Sequence, residues 1–128
     1  MTINKAMERV SRVRPDSFDD ETRAGWLIEL EGRIREEVIQ THRPGSVQDP
    51  EPVPVLSFPE DADRTLLVPP PYDRLYELYL LCQIDLYNGE ADRYANSVQI
   101  FNSALSNWAQ AYHRQHMPVP DRYFQNVL

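Results

Sequence analysis

Few residues in this chain have a type and spacing that could do chemistry, and each has a competing explanation. His113 and His116 lie three apart near the end of a periodic segment, close enough to share a metal ion. No third ligand follows at a matching spacing, and histidine also suits a helix C-terminus through the helix dipole. The capping role is the reading adopted. Cys82 is a candidate nucleophile, but Leu78 and Leu81 surround it with apolar groups that raise a thiol pKa and leave it inert. The acid pairs Asp19–Asp20 and Glu36–Glu37 are adjacent in sequence, so on a helix their carboxylates diverge and form no dyad. There is no glycine-rich phosphate loop, no G-x-S-x-G and no H-E-x-x-H. The expectation is a protein that is not an enzyme, with no catalytic residue, no cofactor and no metal.

The 128 residues suit one domain, 1–128, long enough to bury a core without disulfides or metal. Apolar residues make up 41% and mean hydropathy is −0.57, as in a soluble globular protein. No apolar run is long enough to span a bilayer, and no basic-then-apolar leader opens the chain, so no membrane and no secretory signal is expected. A single cysteine has no internal disulfide partner, which fits a reducing compartment. The net charge of −7 repels phosphates, so tight duplex binding is not expected. Twelve arginines against one lysine either lean toward protein–protein contact or reflect codon usage.

The segments that would position these groups read as helices. Thr2 caps a first helix to about Arg12, with Ile3, Ala6, Met7 and Val10 on one face, Glu8 paired to Arg12, and Pro15 as its stop. Asp19 caps a second from Asp20 to about Gln40, burying Trp26, Leu27, Leu30, Ile34 and Val38. Its wet side should carry the pairs Glu29–Arg33 and Glu31–Arg35. Gly25 and Gly32 either mark close approach of another helix or mark nothing. A third helix begins near Pro71, is apolar on most of its circumference and ends at Gly89. Leu75, Tyr76, Tyr79, Cys82, Gln83 and Leu86 share one of its faces. The fourth runs from about Glu90 to Gln115 with Tyr94, Val98, Phe101, Leu105, Trp108 and Tyr112 on a single stripe.

The fold class expected is all-α: four main helices, the last two forming an antiparallel C-terminal hairpin that the first two cross. Between helices two and three lies a long Pro-rich loop, 43–70, with seven of the eleven prolines. Its apolar residues form short extended segments that pair as a small hairpin or lie flat across the helices. Mobility in the free subunit and order in an assembly are expected of it. After His116 the chain continues as an extended tail, 117–128, whose apolar residues dock either on the subunit itself or on a partner. Seven tyrosines and two tryptophans mark either a core edge with wet hydroxyls or a subunit interface. The suspected interface residues are Phe58, Tyr72, Tyr76, Tyr123, Phe124 and Leu128.

Several stretches taken together resemble a group of small proteins of tailed bacteriophages and prophages. They are Thr2-Ile3-Asn4-Lys5-Ala6, Arg14-Pro15, Trp26-Leu27-x-Glu29-Leu30-Glu31-Gly32-Arg33-Ile34 and Glu36-Glu37-Val38-Ile39-x-Thr41-His42. Then come Leu66-Leu67-Val68-Pro69-x-Pro71-Tyr72-Asp73-x-Leu75-Tyr76 and Gln83-Ile84-Asp85-Leu86-Tyr87-Asn88-Gly89-Glu90. The last are Asn96-Ser97-x-x-x-Phe101-Asn102 and His116-Met117-Pro118. The group resembles head–tail connector (adaptor, head-completion) proteins. The resemblance implies a helical subunit in the virion neck that forms a ring, typically of twelve, below the portal protein. Its partners would be copies of itself, the portal and a downstream connector or tail protein. DNA would pass through the channel without specific binding, and an acidic lumen lets it slide. The rival reading is a small helical phage-encoded regulatory or protein-binding module.

Overall fold

The computed structural model describes residues 1–39 and 55–116. Among the described residues there are four α-helices and no strand: α1 Ile3–Val13, α2 Asp20–Ile34, α3 Leu75–Tyr87 and α4 Ala91–Gln115. A π-helical turn, Arg35–Ile39, continues α2. α3 is central and packs against each of the other three, most extensively against α4. Its lack of a polar face requires this position.

Local chemistry sets most helix ends. The Thr2 hydroxyl accepts from the Lys5 N–H at the start of α1, and the Asp19 carboxylate accepts from the Thr22 N–H at the start of α2, 2.7 Å away. Gly89, at φ +71°, takes the left-handed conformation that closes α3 and turns the chain into α4. Gly25 and Gly32 have open space where a side chain would project, so neither marks a close approach.

The start of α3 differs from expectation. Pro71 is not in its first turn. The Tyr72 N–H bonds back to the Pro69 carbonyl and the Leu75 N–H to Tyr72, a tight turn that places the helix four residues later. The buried face of α3 includes Leu75, Tyr76, Tyr79 and Cys82 as the spacing suggests, but it is wider than that and stops short of Leu86. Leu80, Ile84 and Asp85 are buried while Leu86 is 45% exposed, because α1, α2 and α4 approach from different sides.

The segment from Leu56 to Tyr72 has no strand and no hairpin, and lies across the helices in turns. It is sewn down by backbone bonds, Asn4 N–H to the Ala62 carbonyl and Leu66 N–H to the Met1 carbonyl. Ala62, Leu66 and Val68 are buried beneath it. The rest of the Pro-rich loop and the 117–128 tail lie outside the described residues, and with them the expectations placed on that part of the loop and on the tail.

The core joins Ile3, Met7 and Val10 of α1 to Leu27 and Leu30 of α2, to α3, and to Phe101 and Trp108 of α4. At one end Phe18, Trp26 and Tyr87 form an aromatic cluster. The Trp26 and Tyr87 rings stack at 5.4 Å and 9°.

Candidate functional site

Polar and aromatic side chains gather at several places. The first is built where α2, α3 and the crossing segment meet. Glu31 is buried, with one carboxylate oxygen accepting from the Leu67 N–H at 2.7 Å and the other from the Tyr76 hydroxyl at 2.6 Å. The Tyr76 oxygen also accepts from the Val68 N–H at 3.0 Å. One carboxylate and one phenol thus satisfy two backbone donors that the crossing segment buries. Burial outweighs these bonds and raises the Glu31 pKa. Burial, then the facing carboxylate, pushes the Tyr76 phenol upward, so it stays a donor.

This overturns the wet-side pairing expected of Glu31 with Arg35. Periodicity placed Glu31 opposite the apolar stripe, but the crossing segment covers it. It also removes Tyr76 from the suspected interface, because the side chain is fully enclosed by its own subunit. Arg33 reaches forward to Glu37, at 3.8 Å, where a Glu29–Arg33 pair was expected. The Glu8–Arg12 pair forms.

The second place ties α1, α3 and α4 together. Asp85 is 1% exposed and accepts from the Arg14 guanidinium and the Ser97 hydroxyl. Sequence reasoning did not single it out; the available signal was an acid inside the mostly apolar run Leu81-Cys82-Gln83-Ile84-Asp85-Leu86. Nearby Cys82 is 3% exposed, and burial, then the Asp85 charge, pushes its thiol up to about 11. Such a thiol carries almost no thiolate at neutral pH. A third buried charge, Arg23, bonds the Ser11 hydroxyl at 2.7 Å and the Asp20 carboxylate, with Asp16 at 3.6 Å. All three clusters join elements of the subunit, and Glu31 also borders a pocket of about 190 Å³ that Arg35, Arg64 and Thr65 line.

The third place is a groove of about 450 Å³ between α4 and the proline triplet. Pro69, Pro70, Pro71, Tyr72, Trp108 and Tyr112 line it, with His116 at its end. The His116 ring stacks on Tyr112 at 3.8 Å, and its Nδ1 lies 2.9 Å from the Tyr112 carbonyl, a contact that puts a proton on that nitrogen. Here the histidine bonds a carbonyl of the last helical turn. Among the described residues no three metal-ligating side chains gather.

Of the suspected interface residues, Tyr72 is partly exposed in this groove. Phe58 is half-buried against the core, outside the groove's lining. Tyr123, Phe124 and Leu128 lie outside the described residues. No helix among the described residues is long and apolar enough to cross a membrane. Comparison with protein-family models, curated proteins and solved structures finds no match for this chain.

Proposed function

We propose that this protein is a structural head–tail connector of a tailed phage or prophage, a ring-forming adaptor below the portal that extends the DNA channel. The observation that carries the reading is how the stretches resembling that group meet in space. Trp26–Ile34 supplies Glu31, Leu66–Tyr76 supplies Leu67, Val68 and Tyr76, and the three close on one another. Arg14-Pro15, Gln83–Glu90 and Asn96-Ser97 meet in the same way at Asp85. The resembling stretches therefore pack on one another at two polar junctions of the subunit, which supports reading them as parts of one shared fold.

An adaptor needs surfaces rather than a reaction centre, and the buried charges here all serve to hold elements together. Tyr72 in the proline-walled groove and Phe58, half-buried against the core, are the described residues proposed to meet a neighbour. The net charge of −7 suits a channel wall along which DNA slides without adhering.

The test is location. Particles released from the bacterium carrying this gene, labelled with an antibody to the chain, should show it at the junction of head and tail. Absence of the chain from purified particles would exclude the adaptor role and favour the regulatory module. That rival also predicts duplex binding at physiological salt, where the adaptor should show none in a gel shift.

A further inference from the structure

The run from Tyr94 to His113 contains no Asp, Glu, Lys or Arg, in a chain that is 26% charged. It forms most of α4. The inner side of that helix buries Phe101, Trp108 and Ala111. The outer side exposes Asn96, Gln99, Asn102, Ser103, Asn107 and Gln110, with Ile100 at its margin. These residues are one arc of the helix at 100° per residue.

Two features make the arc unlike an ordinary wet helix face. Exposed helix positions usually carry charges and strong helix formers, because nothing else decides them. Asn and Ser are poor helix formers, since their side chains compete for the backbone. The outer faces of α1 and α2 follow the usual rule, with Lys5, Glu8, Arg9 and Arg12 on one and Asp20, Glu21, Glu29 and Arg33 on the other. Charge depletion is also the compositional mark of an interface.

We propose that the outer face of α4 between Tyr94 and His113 is the surface on which a second copy of this chain packs. Charge decides the occupant. Two copies at −7 repel wherever their acidic faces meet, and between Tyr94 and His113 this helix face brings no Asp, Glu, Lys or Arg to the contact. Side-chain amides both donate and accept, so a row of them is complementary to the same groups on another copy. A nucleic acid would need basic side chains there, and a lipid surface a broad apolar face, but Ile100 is the large apolar residue exposed on this arc. The inference deepens the ring reading by naming a contact between its subunits.

The experiment compares three full-length chains by sedimentation velocity over a concentration series. The N96E/S103E variant puts two carboxylates on the arc, and K5E changes net charge by the same amount on α1. Both are exposed, so helical circular dichroism should be unchanged. The unsubstituted chain and K5E should associate with rising concentration, while N96E/S103E should remain monomeric. As a second readout, S103C should cross-link to a dimer with a short bismaleimide and K5C should not; native Cys82 is buried. If the unsubstituted chain and N96E/S103E sediment alike, or K5E dissociates as fully, the proposal fails. Location at the particle neck is a separate measurement, so either result stands without the other.

Discussion

The inner junctions of α3 and the outer face of α4 use polar residues in opposite ways. At the junctions single carboxyl groups sit where water is excluded, and each satisfies named partners: Asp85 those of α1 and α4, Glu31 those of the crossing segment. On α4 a whole row of polar side chains stays neutral and faces out. A buried charge is costly to strip of its partners, so the junctions specify one arrangement of the helices. A neutral exposed row specifies nothing inside the subunit and even weakens its helix slightly. The contrast teaches that polarity alone does not locate function here; what each polar group bonds to does.

The sharpest way to break this contrast is at Asp85. Asp85→Ala removes the acceptor for the part-exposed Arg14 and for Ser97, and should cost about 3 kcal/mol in chemical denaturation. A loss no larger than an exposed substitution gives would show that the junction is not a specifying contact.

Next comes Tyr76→Phe, which keeps the ring but orphans the buried Val68 N–H and one Glu31 oxygen. It should cost about 2 kcal/mol, lowering Tm by roughly 5–10 °C at this chain length. An unchanged Tm would mean that the crossing segment is not held by the phenol.

Glu31 allows a finer test because its pKa is raised by burial. A carboxyl whose folded pKa exceeds its unfolded value contributes most when protonated, and that contribution is lost as pH rises through the folded pKa. Relative to Glu31→Gln, which does not titrate, the native protein should therefore gain stability as pH falls from neutrality toward the ordinary value of 4.5. A difference in Tm that stays flat across that window would show that Glu31 is not titrating in a buried setting.

The smallest effect has the opposite sign and belongs to α4. Asn96→Ala and Ser103→Ala at low protein concentration should each stabilise the subunit by about 0.5 kcal/mol through helix propensity. Destabilisation instead would mean that these side chains support their own subunit, and the two regions would no longer differ in kind.

The route by which the crossing segment returns over the helices explains most of what was hard to read. It buries Glu31, makes Tyr76 a structural donor and delays α3 past Pro71. Pro-rich sequence has no period from which a path can be derived, and hydrogen bonds such as Glu31 to Leu67 and Tyr76 to Glu31 span tens of residues. Of the candidate surface residues, Tyr72 was legible as partly exposed. Tyr76 was not, because aromatic composition is the same for a core edge and an interface.

The sequence by itself determined the all-α class, the caps at Thr2 and Asp19, the turn at Gly89 and the α4 stripe through Phe101 and Trp108. Those depend on neighbours within a turn or two, where spacing and side-chain chemistry act directly. Only the tertiary structure decided that Glu31 and Asp85 are buried, which side of α3 faces water, and that the described residues leave the outer arc of α4 uncovered. Those outcomes depend on which distant segment lies over each face, and the free energy of burying or exposing a group is settled only once that neighbour is in place.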